Sequence, residues 1–373
     1  MTALSAAARQ SNVHRLVTGS VETLLATWSR EHGLFPYSSR IVGEQLVNDF
    51  AHPLAVRYTL NSLFGLARAA HAGEGPELRD VQERFASFHA AHAARIATLA
   101  DNGLLALLQA ELGETKGATE ALAGIHRWDA SSRNVVMQDL AWALWGAVGA
   151  HRVCVPGADA VAITLLARIK QNLVSQSGLP FHSDRRYRRR VVSFGAVTYF
   201  LRALHEAATA FEDEDAERLF RAGLERMLAL QGPLGDWPWM IDPVSGRALD
   251  RYPVFAVHQD SMAMLFLLPA LDRGLDGVEQ AVDRSLDWAL GRNELGIPMY
   301  VDDPIFFAFR SIERRERAPR ARRFLRSSAN VVTRRPARTE GAPALRLNSE
   351  CRSYHLGWIL NAWCGRLEET EDR

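Results

Sequence analysis

The chain has 373 residues, 47% of them hydrophobic, and its 44 Lys and Arg against 43 Asp and Glu leave a net charge of +1. That apolar content supports a large core and excludes a disordered chain, while the near-neutral balance and the lack of a nucleic-acid motif speak against nucleic acid as a partner. Three widely spaced cysteines, Cys154, Cys351 and Cys364, suggest neither a disulfide framework nor a Cys-based zinc site, no apolar run is long enough to span a membrane, and Met1 to Ser20 lacks a signal-type apolar stretch, so a cytoplasmic location is expected.

The periodicity along the chain is helical almost throughout, with few alternating strand-type runs. It predicts helices over Val21 to Glu31, Leu54 to Ala72, Leu78 to Asp101, Val135 to Ala150 and Asp159 to Ser175. Further on it predicts Val192 to Phe211, Asp215 to Leu230, Gln259 to Leu271, Leu275 to Gly291 and Tyr354 to Leu367. The fold class is therefore all-α. Residues 310–338 depart from the pattern: they are dense in arginine, from Arg310, Arg314 and Arg315 to Arg334, Arg335 and Arg338, with little apolar periodicity. They read as a long excursion over one end of the molecule, a lid or a mobile loop.

Several predicted helices end in a glycine followed by a short apolar, aromatic or proline-containing elbow. These are Gly33-Leu34-Phe35-Pro36-Tyr37, Gly178-Leu179-Pro180-Phe181-His182, Gly235-Asp236-Trp237-Pro238-Trp239 and Gly296-Ile297-Pro298-Met299-Tyr300, with Asn102-Gly103-Leu104-Leu105 a weaker fifth. Their glycines, at 33, 103, 178, 235 and 296, are spaced by 70, 75, 57 and 61 residues, the length of two helices with connections. Helical solenoids of TPR or HEAT type have shorter repeats, about 34 to 47 residues.

On these elbows and this period the sequence resembles the (α/α) toroids, a superfold shared by six-hairpin glycosidases, polysaccharide lyases, related sugar epimerases and terpenoid cyclases. The resemblance implies one domain over 1–373, five or six hairpins around a central funnel, and a site where inner-helix entry loops and elbows meet at one mouth. That placement selects Asn48, Asp49, Arg57, Tyr58 and Asn61 from the first repeat, and Arg133, Asn134, Gln138, Asp139, His182 and Asp184 from the middle. Trp237, Trp239, Asp242, Tyr252, His258, Gln259 and Asp260 follow, then Asp302, Asp303, Glu350, Arg352, Tyr354 and His355.

Among these, His258 and Asp260 are the leading candidates for general acid and base work, since an imidazole titrates near neutrality and a half-buried carboxyl is readily tuned. The competing reading makes Asp260 or Ser261 a helix cap. Asp49 and Asp303 are candidates for carboxylates facing across a funnel, the arrangement that glycoside hydrolysis uses, with a solvated loop as the alternative for Asp302-Asp303. Trp237, Trp239 and Tyr252 form either a sugar-stacking platform or core. Asp242, Gln259, Arg57, Tyr58, His182, Arg352 and His355 are expected to bind substrate, together with Arg186 from the run Arg185-Arg186-Tyr187-Arg188-Arg189-Arg190, which suits an anionic group. Cys351 and His355 also admit a nucleophile and base reading, against a plain cap.

Gln231 to Trp237 is similar to the Gln-Trp repeat of triterpene cyclases, but no Asp-rich cyclase motif accompanies it. Trp363-Cys364-Gly365 echoes only part of a lanthionine-cyclase zinc motif. The expected function is thus a carbohydrate-active hydrolase, lyase or epimerase binding a small molecule or an oligosaccharide, acidic sugars included, with no metal or cofactor. A terpenoid or prenyl-transfer toroid and a non-catalytic binding protein are the alternatives.

Overall fold

The computed structural model describes residues 6–43, 45–128, 135–186, 189–335 and 337–367. Arg133, Asn134, Tyr187 and Arg188, singled out above, lie outside the described residues. Thirteen α-helices occur among the described residues: α1 (Ala6–Thr27), α2 (Ala55–His71), α3 (Leu78–His92), α4 (Leu99–Glu111), α5 (Thr115–His126), α6 (Met137–Arg152), α7 (Ala158–Asn172), α8 (Phe194–Phe211), α9 (Glu214–Leu230), α10 (Met264–Asp272), α11 (Val278–Ala289), α12 (Pro319–Thr333) and α13 (Ser353–Trp363).

Six of them form a closed inner ring in the order α2, α4, α6, α8, α10, α13, with α13 returning to α2. Outside it, α3, α5, α7, α9 and α11 each pack on the inner helix before them in the chain, and α1 packs on α13. The ring thus consists of six helical hairpins, the last made by the two ends of the described chain.

Sequence composition sorts the helices into the two layers. Inner helices are buried on every side, as in α4, buried without a break from Leu99 to Gln109, and α10, buried and apolar from Met264 to Ala270. A helix surrounded by other helices must be so, whereas an outer helix needs one stripe. Accordingly α9 buries Ala216, Phe220, Gly223, Leu224, Met227 and Leu230, and α3 buries Val81, Phe85 and Phe88.

Two glycine pairs set the closest approaches in the ring. A Cβ on Gly65 of α2 would lie 2.3 Å from the carbonyl oxygen of Gly357 on α13, and one on Gly146 of α6 would lie 2.2 Å from that of Gly103 on α4. Gly103 is therefore a packing residue inside α4, which corrects its assignment to an elbow. The other four elbow glycines, Gly33, Gly178, Gly235 and Gly296, do turn the chain, at φ of 59°, 82°, 95° and 66°.

Deeper in the ring, Trp145 of α6 and Trp358 of α13 stack at 5.9 Å, Phe64 of α2 meets both edge-on, and Tyr199 of α8 lies 5.5 Å from Trp358. The funnel is packed at this level. At the other level, short antiparallel strands precede the inner helices: Gln45–Asp49 before α2, Val192–Ser193 before α8, Val254–Phe255 before α10 and Leu345–Asn348 before α13. Those strands build the rim.

The helices differ from the expected elements in several places, α1 among them, which begins at Ala6 and not at Val21. The span Leu78 to Asp101 breaks after α3 because the Thr98 hydroxyl accepts from the Asp101 amide and caps a new helix, α4. Helix α5 was not anticipated. Within 310–338 the chain is ordered as the strand Ser311–Arg314 and helix α12, which starts at Pro319 in its first turn. Helix α12 is held by one nearby partner and two remote ones: Arg326 pairs with Glu316, just before the helix, at 2.7 Å and with Asp250 at 3.4 Å, and the Asn330 amide donates to the Leu249 carbonyl. Among the described residues no helix is long and apolar enough to cross a membrane.

Candidate functional site

A cavity of about 400 Å³ opens at the rim. One wall comes from the ring and its elbows: Tyr58 of α2, Tyr354 of α13, His258, and Trp239, Tyr252 and Phe255. The other comes from the arginine-rich stretch, through Arg310, Glu313, Arg314 and Glu316 and, from α12, Pro319, Arg323 and Arg326.

His258 opens a single π-helical turn, His258–Met262, that leads into α10; such turns recur at functional sites. Its ring lies among Trp239 at 5.3 Å and 20°, Phe194 at 4.5 Å and Phe255 at 5.0 Å. Only 3% of the residue is exposed, and its Nδ1 is buried with no hydrogen bond. Burial, helped by the nearby His355, lowers its pKa to about 3, so the imidazole is neutral at physiological pH.

Asp260 does not share that wall. Residues two apart on a helical turn point to different sides, so His258 faces the cavity while Asp260 faces α13. Its carboxylate accepts from His355 Nε2 at 2.7 and 2.9 Å and from the Tyr300 hydroxyl at 2.7 Å, and its carbonyl accepts from Trp363 Nε1 at 2.6 Å. Asp260 is thus a buried anchor for His355 and not a group that reaches into the cavity. Gln259, between them, is wholly buried and donates to the Phe255 carbonyl.

Cys351 is buried, and burial pushes its thiol up to about 12, so it does not supply a thiolate near neutrality. His355 is committed to Asp260 instead. Arg352 lies with its guanidinium 3.7 Å from the Tyr37 ring centre and pairs with Glu350 at 2.5 Å, and it does not line the cavity. Burial alone would raise Glu350, but Arg40, Arg352 and Arg310 outweigh it and hold the carboxyl at about 2.

A second polar cluster sits at the starts of α2, α4 and α6. Arg57 donates to Asp101 at 2.6 Å and to the Thr98 hydroxyl at 3.0 Å, and its guanidinium lies 5.3 Å from the Trp142 ring centre. Asp139, in the first turn of α6, has a raised pKa: burial raises it, Arg57 opposes, and Asp101 adds to the rise. It is the ring carboxyl best suited to keep a proton. The Trp142 Nε1 beside it is buried with no hydrogen bond.

The remaining sequence candidates disperse. Asp49 lies at the end of its strand, against a separate cavity of about 200 Å³. Asp303 is exposed on a loop, and its neighbour Asp302 pairs with Arg15 at 2.7 Å. Asp242 is buried and bound by Arg190 at 2.6 Å and by the Ser245 hydroxyl. Trp237 is wholly buried, and its Nε1 donates to the Ser285 hydroxyl, to which Gln231 also donates. The Gln231 to Trp237 segment therefore ties an elbow to α11. His182 is half-buried, with its carbonyl accepting from the Met137 amide, and Arg186 is exposed; neither lines the cavity.

Tyr252 does line it, with its hydroxyl donating to Glu294 and the Arg314 guanidinium 4.8 Å from its ring centre. Sequence reasoning noticed the arginine-rich stretch but not that Arg310, Arg314, Arg323 and Arg326 wall this cavity, nor that Tyr300 supports Asp260. Nothing local in the sequence signals either. Among the described residues no group of three or more His, Cys, Asp or Glu side chains is disposed to hold a metal ion.

No family model matches the chain, and no curated protein matches it in sequence. Solved structures resemble it over nearly their whole length. Cellobiose 2-epimerase from Bacillus thermoamylovorans superposes with a TM-score of 0.65 at 10% identity, covering 96% of this chain and 99% of that one. A glycosyl hydrolase family 88 protein from Bacteroides vulgatus gives 0.58 at 11%, covering 96% and 99%. The unsaturated glucuronyl hydrolase of Streptococcus agalactiae, complexed with dGlcA-GalNAc6S, gives 0.62 at 10%, covering 100% and 94%. The likeness establishes the fold as an (α/α) toroid of six hairpins.

Proposed function

We propose that the chain is a carbohydrate-active enzyme that moves protons on a sugar with His258 and His355, in the manner of an epimerase. The observation that carries this is His258 on the cavity wall, with its Nδ1 unbonded, and the Asp260-anchored His355 behind that wall, near enough to act on the His258 charge. Inverting a carbon next to a carbonyl needs one group to remove its proton and another to return one to the opposite face. Neutral His258 has a free nitrogen for the first task. Asp260 holds and orients the His355 ring for the second, as a carboxylate behind a histidine does elsewhere.

The cavity wall carries four arginines and two glutamates, so an anionic sugar fits its charge. Glu316 is held ionised by its hydrogen bond from Arg326, which suits it to orienting and not to protonating a leaving group. The toroid likeness to cellobiose 2-epimerase supports the reading.

Asp139 favours a second reading, hydrolysis, because a carboxyl with a raised pKa is what a leaving oxygen needs and Asp101 supplies a neighbouring carboxylate. Incubation in D2O with cellobiose and with an unsaturated glucuronyl disaccharide separates the two. Epimerisation places deuterium on a sugar carbon without cleavage and is lost by about 10²-fold or more in His258→Asn and His355→Asn. New reducing ends abolished by Asp139→Asn, but not by the histidine variants, establish hydrolysis. No change in either sugar, nor in a wider panel of uronic and neutral oligosaccharides, overturns both.

A further inference from the structure

The cavity that holds Asp49 is the most informative feature outside the proposed catalytic pair. Tyr37, Ser38, Arg40, Asn48, Asp49 and Glu350 line it. It lies beside the strand pair Ser38–Val42 and Gln45–Asp49 that leads into α2, and two contacts between the linings set it next to the central cavity. Arg310, on the central wall, donates to Glu350, on the outer wall, at 3.0 Å. Tyr354 and Tyr58, on the central wall, stand 4.4 Å apart, and Tyr58 stacks on Tyr37, of the outer wall, at 5.1 Å.

We infer that this outer cavity is a second sugar subsite, which takes the neutral unit linked to the sugar held beside His258 and makes the substrate a disaccharide or longer. The inference rests on the proposed sugar chemistry. A volume of about 200 Å³ is below that of an ordinary ligand pocket, about 300–1,000 Å³, and suits one ring and not two.

The chemistry of the lining selects a neutral polyol. The Tyr37 ring is contacted by His52, stacked at 3.6 Å, and by Arg352 at 3.7 Å, so the ligand is held by hydrogen bonds and not by stacking on that ring. Arg40 pairs with Glu350, the Asn48 Oδ1 accepts from the Ser39 hydroxyl and the Asp49 Oδ1 accepts from the Ala51 amide. The Ser38 hydroxyl, the Asn48 Nδ2 and the Asp49 Oδ2 then offer the mixture of donors and acceptors that sugar hydroxyls satisfy. Glu350 is paired with Arg40, Arg310 and Arg352, so Asp49 is the carboxylate of the lining that opposes a second anion. The acidic unit thus belongs in the arginine-walled cavity and the neutral one outside it.

Titration calorimetry tests this with two matched sets of probes: cellobiose against glucose, and an unsaturated glucuronyl disaccharide against glucuronic acid, the unit assigned to the central cavity. At least one disaccharide should bind about tenfold tighter than its monosaccharide, the worth of one or two charged hydrogen bonds. Asn48→Ala and Asp49→Ala, both on an edge hairpin away from His258, should each remove most of that gain and leave the monosaccharide affinity and the melting temperature unchanged. Monosaccharide binding with no gain for either disaccharide, or variants that keep the gain, overturns the subsite and leaves the catalytic reading standing. If no sugar binds at all, the catalytic reading falls and the subsite with it.

Discussion

His355 Nε2 lies 2.7 and 2.9 Å from the two carboxylate oxygens of Asp260, and both residues are at most 2% exposed. A buried pair of this kind is costly to break on one side, because the remaining group is left without its partner. Asp260→Asn should therefore lower turnover by about 10²-fold or more while cutting stability by about 3–5 kcal/mol. Tyr300→Phe, which leaves the pair in place, should cost only about 1 kcal/mol and little activity. Steady-state kinetics beside urea unfolding check both. If Asp260→Asn were as stable and as active as the parent, the anchoring role would be lost.

Acid sensitivity should follow His258. Burial first and His355 second hold its pKa at about 3, against 6.5 for a free imidazole. The unfolded chain takes up this proton as pH falls through 6.5, and the native chain takes it up only near 3. Within that window the unfolded state binds more protons, so stability is full above it and declines with falling pH. The contribution is on the order of a few kcal/mol. Urea midpoints measured from neutral pH down through this window should fall less steeply for His258→Asn than for the parent, and identical slopes would place the imidazole in a solvated setting.

The two indoles of one elbow should behave differently. Trp237 is wholly buried against Ser285, so its replacement by alanine should cost about 3–5 kcal/mol. Trp239 lines the cavity and stacks on His258, so Trp239→Ala should weaken sugar binding by about tenfold at a smaller cost in stability. Melting curves alongside calorimetric titration separate them; a reversed pattern would exchange their roles.

Close helix approach in the ring should be intolerant of a single methyl group. A Cβ on Gly357 would meet the Asn61 carbonyl oxygen at 2.6 Å, and one on Gly65 the Gly357 carbonyl at 2.3 Å. Alanine at either position should destabilise by about 1–3 kcal/mol or more. Gly341→Ala is the control, since its Cβ would meet nothing nearer than 3.7 Å, and its melting temperature should not move.

Much of the architecture is legible locally. Inner helices such as α10 are recognisable because burial on all sides demands an unbroken apolar run, and elbows such as Gly235 to Trp239 because a left-handed turn demands glycine. The same logic misplaced Gly103, since a glycine that admits a neighbouring helix and one that turns the chain look alike in sequence. It also missed α12, whose anchor Asp250 becomes a partner of Arg326 only when the chain has folded back.

The site divides in the same way. His258, Asp260, Tyr58, Trp239, Tyr252 and His355 stand out as residue types placed where inner helices begin, and the chain alone suffices to nominate them. Asp49, Asp303 and Asp242 meet that criterion equally well, and the structure carries them elsewhere.

By itself, then, the sequence determined the helices and the hairpin period, because those follow from spacing along one chain, while the two layers and the mouth of the funnel were what the toroid resemblance implied. Only the tertiary structure decided that Asp260 turns to His355 and not to the cavity, that the arginine-rich stretch becomes its second wall, and that Asp49 faces a separate pocket. Each of those depends on the direction of a side chain relative to segments dozens to hundreds of residues away, and that direction is set by packing, which no local pattern encodes.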